Sequence, residues 1–166
     1  MRALAALLTA GHAGLLGGAY LFQLAGYAPC AMCLWQRWPH MAAIALGLLA
    51  VAGVAPRAMA ALAAVAAATT AAIGAFHAGV EQGWWEGPSS CSGSGAALSG
   101  LSGAELLSLD RVDTVVLCDA IVWQLGLTMA GWNAVLSAGL AVGWTLAAAG
   151  ATPVSLRNRG GERART

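Results

Sequence analysis

The sequence predicts an all-α integral membrane protein, a four-helix transmembrane bundle with both termini in the cytoplasm. Three observations carry that reading. Of 166 residues, 59% are hydrophobic and only 9% charged, with a mean hydropathy of +0.71, which leaves too few polar side chains to clothe a soluble globule. Four stretches, Ala3 to Ala25, Trp38 to Ala55, Ala58 to Val80 and Ala120 to Leu156, contain no Asp, Glu, Lys or Arg, and a hydrocarbon core takes roughly 17 to 25 residues to cross. The arginines then order these stretches by side. Arg2, Arg57, Arg157, Arg159, Arg163 and Arg165 fall at the N-terminus, the second connection and the tail, while the other two connections hold only Arg37 and Arg111, so the positive-inside rule places both termini in the cytoplasm.

Helices are the expected form because lipid offers no partner to an open backbone group. The spans are expected at about 3–25, 36–55, 58–80 and 122–150, in a single domain over 1–151, with outer loops at 26–35 and 81–121 and an Arg-rich cytoplasmic tail at 152–166. The first run follows Arg2 as a signal peptide would, but it exceeds the usual 7 to 15 residues of a signal core and reads as the first membrane helix. A soluble Ala-rich bundle would need a polar stripe on every helix, and Ala60 to Val80 offers only Thr69, Thr70 and His77. The connection Gly53 to Arg57 contains Pro56 and is a tight turn, which makes the second and third helices antiparallel neighbours.

The second outer loop is long enough to signal function rather than mere connection. Its Gly/Ser-rich part, Gly87 to Gly103, is expected to be mobile. Ser102-Gly-Ala-Glu105 reads as a capping box that starts a short helix near Gly103 to Val112. Trp35, Trp38, Trp84, Trp85, Trp123 and Trp132 sit near predicted outer helix ends, where an indole prefers the headgroup layer. Gly14 and Gly18 form a small-xxx-small pair that permits close helix packing.

All four cysteines, Cys30, Cys33, Cys91 and Cys118, lie in the two outer segments. Outside the cytoplasm thiols tend to pair, and four of them allow three connectivities. Both bridges could simply brace the loops, but a Cys30–Cys33 bridge would close too small a ring to stabilise much. Cys-x-x-Cys spacing is typical of dithiols that open and close. A four-thiolate zinc site would require thiolates to survive an oxidising compartment. Arg37, four residues beyond Cys33, would share its face on a helix and favour a thiolate; Pro39, if it were the first helical residue, would instead leave Cys33 in the preceding loop. Alternatively, Arg37 is an interfacial side chain snorkelling to water. Two dithiols on one membrane face can pass a disulfide outward while electrons move inward. No flavin, haem, metal or nucleotide motif appears, so the final acceptor is expected in the membrane.

Pro29-Cys-Ala-Met-Cys-Leu-Trp-Gln-Arg37, Phe76-His-Ala-Gly-Val-Glu81 leading to Cys91, and Cys118-Asp-Ala-Ile-Val-Trp123 followed by Met129-Ala-Gly-Trp-Asn133 together resemble the DsbB family of bacterial inner-membrane disulfide bond formation proteins. The resemblance covers nearly the whole chain. It implies a thiol:quinone oxidoreductase that reoxidises a periplasmic DsbA-like thioredoxin-fold protein and uses a diffusible ubiquinone or menaquinone. It further implies that Cys91 forms the mixed disulfide with that partner, that Cys118 resolves it onto Cys30/Cys33, and that Cys33 donates to the quinone. Arg37, Met129 and His77 match residues near the family's quinone; His77 serves equally as a packing histidine, and His12 and His40 read as packing or interfacial. The vitamin K epoxide reductase type places its Cys-x-x-Cys late in the bundle, whereas here it follows the first helix. A membrane subunit with two static disulfides is the non-enzymatic alternative.

Overall fold

The computed structural model describes residues 1–88, Cys91, 117–121 and 123–150. Four helices carry it: α1 (Arg2–Leu24), α2 (Ala31–Ala52), α3 (Pro56–Glu81) and α4 (Met129–Ala148). α1 and α3 are each long and apolar enough to cross a membrane unaided. α3 lies against both α2 and α4, and α1 against α2 and, over a shorter length, α4. The expected short helix at Gly103 to Val112 and the Arg-rich tail lie outside the described residues.

Local chemistry sets the helix ends. α2 begins well before Pro39, because Cys30 caps it and the Cys30 sulfur accepts the Cys33 N–H at 3.3 Å. Pro39 therefore sits inside the helix, where it removes the bond to the Trp35 carbonyl without ending the element. Gly53 closes α2 with φ +91, a left-handed position that suits glycine. Pro56 then opens α3 at its first turn, where its missing N–H costs nothing. α4 begins at Met129 and not at about 122, since the chain first makes a hairpin, β1 (Gln124–Leu125) paired with β2 (Leu127–Thr128) about Gly126 at φ +72. Thr128 Oγ1 accepts the Gly131 N–H at 3.1 Å and starts the helix, while Trp132 Nε1 donates to the Leu125 carbonyl at 2.9 Å and ties helix to hairpin.

The bundle is apolar outside and partly polar inside. Leu7, Leu21, Leu24, Val65 and Val142 are each more than 60% exposed, whereas His12, Thr70 and Ser137 are fully enclosed. Such a surface is stable against lipid and not against water. Small residues, Ala43, Ala63 and Ala67, are completely buried and let the helices approach closely. Gly74 shows how closely, because a Cβ there would stand 3.0 Å from the Ala134 nitrogen and 3.1 Å from the Ala130 carbonyl of α4. Gly14 and Gly18 do not make such a contact; among the described residues nothing lies within 4 Å of a Cβ at either, and they face a cavity instead. Trp144 is the largest wholly buried side chain.

Candidate functional site

The first turn of α2, the last turn of α3 and the segment around Cys118 converge at one end of the bundle. Cys30, Met32, Val80, Cys91 and Cys118 form a single buried cluster with Ala31 and Cys33 packed on it. Cys91 and Cys118 are joined by a disulfide, with Cα atoms 4.9 Å apart, and the Cys118 N–H donates to the Cys91 carbonyl at 2.9 Å. Cys30 and Cys33 are free thiols. Of the three connectivities the sequence left open, this one pairs the two distant cysteines and leaves the close pair reduced. Cys91, which falls in the Gly87 to Gly103 stretch, is only 2% exposed, because its bond to Cys118 draws it against Val80 at the end of α3.

Cys30 and Cys33 precede the apolar span that starts at Trp38. The Cys30 thiol donates to the Cys33 sulfur at 3.1 Å. That bond is the main reason the Cys33 pKa is held down at about 7, against a burial effect that raises it. The positive charge of Arg37, which the spacing suggested as the cause, is the smallest of the contributions. Cys30 is pushed up, first by the same hydrogen bond and then by burial. The two thiols are therefore unequal, with Cys33 the readier thiolate.

His77 enters from α3 and touches both pairs. Its Nε2 lies 3.5 Å from the Cys30 sulfur and 3.2 Å from the Cys118 carbonyl, and the ligand atoms of Cys30, His77 and Cys118 all fall within 4.8 Å of one another. These are soft donors of the kind a metal takes, but the Cys118 sulfur is engaged with Cys91. Glu81, one turn on, has a carboxylate oxygen 3.9 Å from His77 Nε2.

Beneath the dithiol lies a cavity of about 320 Å³, lined among others by Gly14, Phe22, Cys33, Arg37, Met129 and His77. Three of the predicted site residues, Arg37, Met129 and His77, thus meet Cys33 around one space, while Cys91 does not line it. Arg37 is 8% exposed and does not snorkel; its Nη1 donates to Gln23 Oε1 at 2.8 Å and its guanidinium lies 4.5 Å from the centre of the Tyr20 ring. Its Nε is buried with no hydrogen-bond partner among the described residues. Sequence reasoning missed Gln36, His40 and His12 as site-linked residues, although Gln36 stood inside the quoted cysteine motif. Polarity in an apolar helix was the available signal, since buried polar groups need partners.

An apolar-surfaced bundle that brings a dithiol and a disulfide together at one end has the makeup of a membrane-embedded thiol–disulfide oxidoreductase. Residues 1–147 match the family model described as disulfide bond formation protein DsbB. The chain belongs to the DsbB family, and is accordingly an integral membrane four-helix bundle that acts as a disulfide-forming oxidoreductase. No curated protein and no solved structure matches it.

Proposed function

We propose that the protein reoxidises a periplasmic DsbA-like dithiol protein and passes the two electrons through Cys91/Cys118 and then Cys30/Cys33 to a membrane quinone, with both cysteine pairs on the periplasmic side of a bacterial inner membrane. The observation that carries this reading is the meeting of Cys30, His77 and Cys118 within 4.8 Å, since exchange requires one sulfur to attack another directly.

In the cycle so read, a thiolate of the partner attacks the Cys91 sulfur, the Cys91–Cys118 bond breaks and Cys118 leaves as a thiolate. Cys118 attacks Cys30 of an oxidised Cys30–Cys33 pair and releases Cys33. The partner's second thiol resolves its mixed disulfide and frees Cys91, which attacks Cys118 and releases Cys30. The outer disulfide is restored and the inner pair holds two electrons, the arrangement seen here.

The cavity fits a quinone head on three counts. It is bordered mostly by apolar side chains, it is open to the readier thiolate Cys33, and it contains a buried guanidinium whose Nε lacks a partner among the described residues. Arg37 would hold a ring oxygen there, with Met129 against the ring and His77 at the rim. The quinone, when bound, supplies a two-electron acceptor. The protein's part is to hold Cys33 as thiolate, exclude water and place a cation where negative charge develops. The test is single-turnover quinone reduction by the purified protein, supplied with a reduced thioredoxin-fold oxidase. Cys33→Ser abolishes quinone reduction, while Cys91→Ser abolishes oxidation of the partner and leaves the inner pair able to react with quinone. Wild-type quinone reduction in Cys33→Ser would overturn the order.

A further inference from the structure

His77 is the near end of a buried chain of side chains that reaches deep into the bundle and draws on all four helices. The direction of each hydrogen bond is fixed by what its acceptor can do. His40 Nε2 faces Asn133 Oδ1 at 2.9 Å; a carbonyl oxygen only accepts, so the His40 proton is on Nε2. His40 Nδ1 is then bare and accepts from His12 Nδ1 at 2.8 Å. The Asn133 amide nitrogen donates to Gln36 Oε1 at 2.6 Å and to Thr70 Oγ1 at 3.2 Å. The Gln36 amide nitrogen is oriented by the Met32 carbonyl at 3.2 Å and donates to His77 Nδ1 at 3.0 Å. His77 Nε2 faces the Cys118 carbonyl, again an obligatory acceptor. Every link donates the same way, from His12 toward the cysteines, and both ends agree on the state of His77. His12 Nε2, the start of the chain, is buried without a partner among the described residues.

We propose that this one-way chain locks His77 as the Nε2–H tautomer, and that Gln36, backed by Asn133 and His40, is the positioning residue that presents this N–H to the Cys30 sulfur and the Cys118 carbonyl during transfer between the two pairs. The inference rests on the relay proposed above. When the Cys91 thiolate attacks the Cys118 sulfur, the Cys30–Cys118 bond breaks and its electron pair stays on Cys30. A hydrogen bond from His77 Nε2–H stabilises that thiolate, while the same N–H holds the Cys118 backbone beside it. No proton has to move. In the opposite tautomer a bare nitrogen would face a carbonyl oxygen and a new thiolate together, and would oppose the step.

The test is a double-mutant cycle on the full chain with quinone removed. The rate read is electron transfer from dithiothreitol through the outer pair to the Cys30–Cys33 disulfide, counted as the excess over Cys118→Ala, in which that route is cut. Gln36→Leu is expected to slow it roughly 10- to 150-fold, the range for a hydrogen bond to a charged group. His77→Gln lowers the rate itself but supplies an N–H that has no tautomer to choose, so from that lower rate Gln36→Leu takes no more than about twofold. Equal losses in both backgrounds mean that Gln36 acts by packing, and overturn the proposal. Histidine ¹⁵N spectra give a readout independent of transfer: His77 carries its proton on Nε2 in the wild type and loses that preference in Gln36→Leu. A wild-type proton on Nδ1 overturns the lock alone, whereas a wild-type chain with no relayed transfer but the expected spectrum overturns the relay. Should Gln36→Leu fail to fold, Asn133→Leu breaks the chain one link earlier and must show the same dependence on His77.

Discussion

Cys30 and Cys33 are separated by two residues and differ in chemistry because one donates a hydrogen bond to the other. The thiolate is the nucleophile, so a depressed pKa brings reactivity in at lower pH. With the outer disulfide intact and the inner pair reduced, alkylation of Cys33 should therefore rise through a midpoint near pH 7. In Cys30→Ala the donor is gone, and the midpoint should move up toward the ordinary thiol value of about 8.5; mass-resolved alkylation across pH measures both, and an unmoved midpoint would show that the Cys30 thiol is not the cause. In the proposed cycle Arg37 serves the quinone more than the thiolate, since its charge is the smallest of the effects on Cys33. Arg37→Met should weaken apparent quinone affinity roughly 10- to 150-fold, with Arg37→Lys intermediate for want of the planar fork, while thermal stability in detergent changes little because an apolar chain of similar length replaces a buried cation. Normal quinone kinetics in Arg37→Met would leave the residue to its bonds with Gln23 and Tyr20. The four-residue spacing was enough to put Cys33 and Arg37 beside one cavity. Gln23 and Tyr20, on a different helix, could not be read from it.

At the scale of the element, the charge-free runs of α1 and α3 were legible because membrane helices need nothing more than length and apolarity. The two ends near the site were not. Cap chemistry at Cys30 outweighed the N1 preference of Pro39, and a small hairpin took the residues before Met129. The polar interior was also hidden: where every face of a helix is apolar, periodicity cannot say which of Gln36, His40 or Asn133 turns inward. Only the assembled bundle shows that they meet. That meeting depends on the close approach of α3 and α4 at Gly74. Gly74→Val would drive a branched side chain into α4 backbone and the Asn133 amide, 3.1 Å from the added Cβ, and should cost about 1 to 3 kcal/mol. Gly17→Ala, with nothing among the described residues within 4 Å, should be neutral or slightly stabilising. The midpoint of thermal unfolding in detergent separates them, and equal midpoints would mean that the helices part easily at this point.

For the whole molecule, the distribution of surface chemistry decides the solvent, and the arginines are the basis of the proposed direction. An exterior of Leu and Val around an interior of His, Thr and Ser is stable only where lipid replaces water. The helix path puts the cysteines at one end and Arg2 and Arg57 at the other, since Arg2 lies beside Gly53 at the α2–α3 turn and Arg57 beside Gly150 at the end of α4. Gathering the N-terminus, the turn and the end of α4 at one end is what the positive-inside rule needs in order to act on them together. The orientation proposed above, with the cysteine end away from the cytoplasm, therefore has a direct test. A membrane-impermeant thiol reagent added to intact spheroplasts after reduction should label Cys30, Cys33, Cys91 and Cys118, and an outside block should protect all four from a permeant reagent added later. The burial of Cys91 and Cys118 makes prior reduction necessary, because their disulfide holds them in the cluster. Labelling of either pair from the cytoplasmic side alone would put the two pairs on opposite faces, which a bundle that joins Cys30, His77 and Cys118 within 4.8 Å cannot accommodate.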